Sequence, residues 1–422
     1  MNVRLLYGRD GLDVDVPGER TTVVVPAHVA AAPDERRAVV DALRGPVAGP
    51  PLRALVRPGQ TVAISICDGT RAQPRRLVVP AVLEELSGVV RMEDVVVLVA
   101  TGTHRGNTHD ELLEMLGPEV MRTVRVENHD ARDDASLAWV GTLGDDVPVW
   151  LNRAWLEADV RITTGFVEPH FFAGFSGGPK MVAPGLAGLE TTLVLHDARR
   201  IDHPAARWGV TEGNPIHDDV RAIAAATGVD FALDVVLDRE QRVVRAFGGE
   251  LFAMHRAACD LARSAAMRAV DGDFDVVVTS NGGFPLDQNL YQSVKGMSAA
   301  AQVVKEGGTI VCAAECRDGF PDHGSYRSEL AREPSPQRLA DAIRRRERTV
   351  PDQWQIQIQA KIQCRARVVM HTSFLGEAEL RAAHLGHTDD VGETVRAVLS
   401  ESGPAARLCV LPEGPATIPY VR

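Results

Sequence analysis

Five times in this chain a run of aliphatic and β-branched residues stops abruptly at a polar or glycine-rich stretch: TVAISICDGTR, DVVVLVATGTHR, DVRITTGFVEPH, DVVVTSNGGFP and GTIVCAAECRDG. A strand with one wet face alternates apolar and polar residues. These runs do not alternate, so both of their faces need cover, which is the condition of a strand inside a parallel sheet flanked by helices. Helical patterns fill the intervals, among them RRLVVPAVLEELSG, ARRIDHPAARW with HDDVRAIAAATG, and LYQSVKGMSAAAQVVKEGG. Thr108 and Glu111 have capping-box spacing, so a helix should start just after TGTHR. The fold class that follows is α/β with doubly wound, parallel-rich sheets.

At 422 residues the chain exceeds one small core, and two domains are expected. The strand-like run that starts near residue 274 marks the break. Residues 1–270 then form one domain and 272–405 a second, with the tail 406–422 expected to pack back on the first. No fixed-period repeat or low-complexity tract is visible.

A net charge of −11 argues against general nucleic-acid binding and against an anionic membrane surface. It leaves room for an anionic small substrate in a locally basic pocket. The N-terminal stretch carries no basic region followed by an apolar run, and no uncharged segment approaches bilayer length. Six cysteines without a CxxC pair fit a reducing compartment, so the expected location is the cytoplasm. Cys312 and Cys316 could be a ligand pair, but two core thiols are the simpler reading. Monomer and homo-oligomer both stay open.

Reactive side chains gather where the apolar runs end: Asp68 and Arg71, His104 and Arg105, His170 and Lys180, then Gln292 and Lys295. In open α/β sheets, ligands bind at the carboxyl ends of the strands. Each residue alone has a plain structural reading, such as a packed histidine or a solvated arginine; their succession at strand ends favours a site. The densest stretch is EPHFFAGFSGGPKMV, residues 168–182. Its serine and glycines, Ser176, Gly177 and Gly178, read as a cradle whose amides approach a phosphate. Pro179 and Met181 break the nucleoside-triphosphate pattern GxxxxGK[ST]. A dinucleotide fingerprint is absent, since the chain has no GxG triplet, and no HExxH zinc motif occurs. His196, at or near the end of a helical segment, is either a packing residue or a single imidazole ligand to a metal held otherwise elsewhere.

Taken together, DGTR, TGTHR, EPHFFAGFSGGPK, GNPIHDDV and SNGGFPLDQNLYQSVKGM resemble the nickel-dependent lactate racemase family, over about residues 60–365 and including DQWQIQIQAKI. The resemblance implies an isomerase that inverts the 2-carbon of a 2-hydroxycarboxylate, lactate by default, with the active site in a cleft between two domains. It implies a nickel pincer nucleotide, a pyridinium-3,5-bisthiocarboxylic acid mononucleotide that holds nickel by a sulfur–carbon–sulfur set. His104 and His170 match the family's two catalytic histidines. Lys180 matches the lysine that can link covalently to the cofactor, and His196 the histidine that completes nickel coordination. Arg71, Gln292, Lys295 and Trp354 match substrate-side positions. Asp68, just ahead of the arginine, falls with Ser176, Gly177 and Gly178 on the cofactor side. Ala72 departs from the family's usual proline. A cofactor carrier of the same fold without catalysis is the alternative, and the paired histidines speak against it.

Overall fold

The computed structural model describes residues 1–321 and 324–422. The chain forms two compact units. One contains residues 28–196 and 203–265, and the other residues 1–27, 197–202 and 266–422.

The first unit is built on a six-stranded sheet. Its strands run in the order Val243–Gly249, Phe231–Leu237, Val160–Phe166, Val62–Cys67, Val95–Ala100 and Arg125–Asn128. All neighbours are parallel except Val243–Gly249, which is antiparallel to Phe231–Leu237. The sequence pattern is explained by two cores, one on each face. Ile64, Ile66, Val97 and Val99 enter one core, and Ala63, Val96 and Leu98 the other. Each fully buried aliphatic side chain of this kind contributes roughly 1.5–3 kcal/mol.

Helix Arg75–Leu86 covers the first face with Val78, Val79, Val82 and Leu86. Helix His109–Thr123 begins as the capping box predicts. The Thr108 hydroxyl accepts the Glu111 N–H at 3.2 Å, and the Glu111 carboxylate accepts the Thr108 N–H at 2.7 Å. Arg105 donates to that same carboxylate at 2.6 and 2.8 Å, so its charge serves the helix start.

The second unit has its own six-stranded sheet, ordered Gly386–His387, Arg367–His371, Val304–Ala313, Phe274–Ser280, Leu408–Leu411 and Thr21–Val23, with every pair parallel. Both chain ends belong here. The tail was expected on the first domain, yet Leu408–Leu411 lies within this sheet beside Phe274–Ser280. Thr21–Val23 then adds to Leu408–Leu411 as the edge strand, which draws residues 1–27 away from the 1–270 block. The reason is backbone pairing: Phe274–Ser280 offers a second hydrogen-bonding edge that an apolar tail strand can fill. No helix among the described residues is long and apolar enough to cross a membrane.

Candidate active site

Strands Val160–Phe166, Val62–Cys67 and Val95–Ala100 are parallel neighbours, so the loops leaving their carboxyl ends emerge side by side. The first loop opens with Asp68, which is buried. Its Oδ2 pairs with His104 Nδ1 at 2.8 Å, and its Oδ1 accepts the Thr70 hydroxyl at 2.8 Å. Burial pushes the Asp68 carboxyl up, but the hydrogen bond from His104, the Arg71 charge and the hydrogen bond from Thr70 outweigh it and hold the group below its ordinary value. Asp68, expected on the cofactor side, is thus also the hydrogen-bond partner of His104. Arg75 donates to the carbonyls of Asp68 and Arg71, both at 3.0 Å, and Gln73 accepts the Cys67 N–H at 2.8 Å. These bonds fix the loop although Ala72 supplies no proline restraint.

The second loop carries His104 and is tied to the third element of the site, because the Gly102 N–H donates to the Gly185 carbonyl at 2.9 Å. His104 stays partly open, its side chain 43% exposed.

The third loop is a hairpin in which Pro169–His170 pairs with Gly174–Phe175. Gly174 has φ +79, and a Cβ there would stand 2.2 Å from the Val210 carbonyl oxygen, so only glycine closes this turn. The hairpin brings three site residues around Phe172. The His170 ring meets Phe172 edge-on at 4.5 Å, the His196 ring does so at 5.2 Å, and Lys180 Nζ lies 5.7 Å from the same ring centre. His196 caps helix Leu189–Leu195, and its Nδ1 sits 2.7 Å from the Thr192 carbonyl. A carbonyl only accepts, so Nδ1 carries the proton and the lone pair is on Nε2. Burial pushes His196 down to about 4, with the Thr192 bond opposing and the Lys180 charge reinforcing the shift, so the imidazole is neutral.

The stretch read as a phosphate cradle is built differently. The Ser176 N–H donates to the Glu168 carbonyl at 2.9 Å, the Gly178 N–H to Asp234 Oδ2 at 2.6 Å, and the Lys180 N–H to the Gly177 carbonyl at 3.1 Å. The Ser176 hydroxyl donates to the Phe166 carbonyl at 2.9 Å. The glycines are needed because the protein's own atoms crowd them. A Cβ on Gly177 would stand 2.6 Å from Asp234 Oδ2, and one on Gly178 2.4 Å from the His255 ring. The loop is an internal knot around Lys180 in which the amides of Ser176, Gly178 and Lys180 are engaged by the protein itself.

Three residues beneath this knot were not assigned from sequence. Asp234 is fully buried, and burial pushes it up to about 7 against the pull of the Gly178 and Gly165 amides. His217 and His255 stack at 5.6 Å and are held neutral, His217 at about 3 and His255 at about 4, mainly by burial. The motif GNPIHDDV contains His217 and was visible; its task was not.

The remaining expected residues lie in the second unit. Gln292 and Lys295 are one helical turn apart on helix Leu290–Ala300, capped by the Asn289 side chain. Trp354 opens helix Gln353–Arg365 and donates its indole N–H to the Tyr291 hydroxyl at 3.2 Å. Cys312 and Cys316 are buried free thiols whose ionisation burial suppresses, Cys316 being pushed up to about 11. Among the described residues no group of three or more His, Cys, Asp or Glu side chains is arranged to hold a metal ion.

Residues 7–209 match the lactate racemase N-terminal domain and residues 270–418 the lactate racemase C-terminal domain. The chain belongs to the lactate racemase family. It is 35% identical over 423 residues to the lactate racemase of Thermoanaerobacterium thermosaccharolyticum, covering 99% of each chain. Identity to the lactate racemase of Lactiplantibacillus plantarum is also 35%, over 383 residues and 90% of each chain. The structure of the lactate racemase apoprotein from the former organism superposes with a TM-score of 0.93 at 34% identity, covering 100% of both chains. A Thermotoga maritima protein shares the fold alone, with a TM-score of 0.67 at 19% identity over 94% of this chain and 100% of that one. Family membership makes this chain an isomerase of the racemase type; the two matched ranges include every site residue expected from sequence, whereas His217, Asp234 and His255 lie between them.

Proposed function

We propose that the chain racemises or epimerises a 2-hydroxycarboxylate, lactate in the first instance, with a nickel pincer nucleotide as cofactor. The observation that carries this reading is the grouping of His170, Lys180 and His196 around Phe172, next to the strand end that bears the Asp68–His104 pair.

The donor chemistry fits such a cofactor. A neutral, buried imidazole with its lone pair on Nε2 is one good metal ligand. With no protein cage among the described residues, the other ligands have to arrive with an organic group. His196 would hold the metal, and Lys180, on its knot of engaged amides, would bond or pair with the nucleotide. When bound, the cofactor supplies a hydride acceptor.

The protein's own residues do the rest. Removing the α-hydrogen as a proton would place a second negative charge beside the carboxylate, whereas removing the hydroxyl proton to a histidine as hydride departs leaves a neutral 2-keto group. That group is planar, so return of hydride to its other face inverts the centre. His104 takes or returns the hydroxyl proton on one side and His170 on the other. Asp68 holds His104 by Nδ1 and so orients its Nε2. Arg71 clamps the carboxylate through its planar fork. The family resemblance assigns Gln292, Lys295 and Trp354 to the substrate as well.

The test is racemisation in heavy water by protein loaded with cofactor. The expected result is inversion with the α-hydrogen retained. One deuterium gained at the α-carbon per inversion would overturn the hydride route. No inversion of any 2-hydroxy acid in a panel by loaded protein would leave a cofactor carrier.

A further inference from the structure

The two histidines are wired in opposite senses. His104 Nδ1 lies 2.8 Å from Asp68 Oδ2, an ionised acceptor, so Nδ1 carries the proton and Nε2 the lone pair. His170 Nδ1 instead receives backbone N–H groups, from Ala173 at 3.2 Å and from Phe172 at 3.5 Å. An amide N–H only donates, so His170 keeps its lone pair on Nδ1 and its proton on Nε2.

The peptide that carries the Ala173 amide is held from behind by the GNPIHDDV segment. Asn214 is fully buried and uses its side chain in both directions. Its Oδ1 accepts the N–H groups of Ile216 and His217 at 3.1 and 3.4 Å, capping helix Pro215–Thr227. Its Nδ2 donates to the carbonyls of Phe172 at 2.8 Å and Val210 at 2.9 Å. Two carbonyls on one side and two amides on the other fix which end of the side chain is nitrogen. Gly209 donates to the Gly174 carbonyl at 3.0 Å.

We propose that Asn214 is a positioning residue that sets the tautomer of His170: by gripping the Phe172 carbonyl it holds the turn whose amides keep the His170 proton on Nε2. The proposal rests on the reading of His104 and His170 as the acid–base pair and adds that the pair is unequal at rest. His104 presents a lone pair at Nε2 and is ready to take a hydroxyl proton. His170 presents an N–H and meets a substrate oxygen as a hydrogen-bond donor. It becomes a base only when its proton shifts to Nδ1 and the Ala173 amide lets go.

Nitrogen-15 NMR of histidine-labelled protein without cofactor reads this directly, because protonated and unprotonated ring nitrogens have well-separated shifts. His104→Gln and His170→Gln assign the two rings. At pH 8 the parent protein should show His104 protonated at Nδ1 and His170 at Nε2. Asn214→Ser keeps a good helix cap but loses both side-chain N–H donors. In it, His170 should become a mixture of the two tautomers while His104 stays unchanged. A parent His170 protonated at Nδ1 would overturn the proposal, and this readout needs no variant at Asn214 to fold. An unaltered His170 signature in folded Asn214→Ser would also overturn it. Failure of the parent reading is separate: full racemisation by loaded His170→Ala would remove His170 from catalysis and leave its tautomer as measured.

Discussion

Asp234→Asn should stabilise the protein at neutral and alkaline pH and leave it nearly unchanged near pH 4. Asp234 is fully buried on strand Phe231–Leu237, and its carboxyl is pushed from 3.8 to about 7. The cause is burial, only partly offset by the Gly178 and Gly165 amides. Because the folded value lies above the unfolded one, the native state binds the extra proton between those limits. Stability therefore falls as pH rises from about 4 to about 7, and the full penalty is present above 7. A rise of about three tenfold steps in proton affinity, at about 1.4 kcal/mol each, gives roughly 4 kcal/mol as an upper figure. Asparagine cannot ionise, yet its oxygen can still accept the Gly178 N–H. Urea unfolding of parent and variant at pH 5 and pH 8 measures the effect, since other titrating groups cancel between the two proteins. The variant's advantage should grow by up to about 2–3 kcal/mol between the two pH values, since about two of the three tenfold steps fall between pH 5 and pH 7. A change under about 1 kcal/mol would show that Asp234 carries its charge in the fold without difficulty, and the burial argument would fail.

Three further outcomes follow from the same geometry. Gly174→Ala should lower the urea midpoint, because the left-handed backbone alone costs about 1–2 kcal/mol and the new Cβ collides with the Val210 carbonyl; an unchanged midpoint would contradict the turn described here. Arg71→Lys keeps the charge and loses the fork, so kcat/KM should drop tenfold or more if one charge-assisted hydrogen bond of ~1.5–3 kcal/mol is lost; an unchanged kcat/KM would place Arg71 outside the substrate clamp. His196→Ala should reduce nickel per bound cofactor, read by elemental analysis beside intact mass, with the fold preserved; equal nickel in both proteins would remove His196 from the metal.

The strands were legible because burial on both faces leaves a continuous apolar run, and helices were legible from caps such as Thr108 with Glu111. Thr21–Val23 was not legible. A three-residue edge strand with mostly exposed side chains has no burial pattern, and it joins the sheet by backbone pairing to residues almost four hundred positions away. The tail misled for a related reason. Leu408–Leu411 reads as an apolar segment, but nothing in four buried residues says which sheet has an edge waiting for it.

Within the site, chemistry placed at strand ends could be read, whereas the direction of backbone amides could not. Gly177 and Gly178 read as room for a phosphate, and the same residue type is also what the close approach of Asp234 and His255 from the protein's own interior requires. Asn214 shows where sequence could have said more. Asn followed by Pro reads as a helix cap with proline at the first helical position, and capping asks only for an acceptor. Serine, aspartate and asparagine all meet that need. A buried asparagine brings an NH2 group that the cap does not use, and leaving it unpaired would cost about 1–3 kcal/mol. Such a cap therefore needs carbonyls from elsewhere, and here they belong to Phe172 and Val210, the first of them in the turn that orients His170.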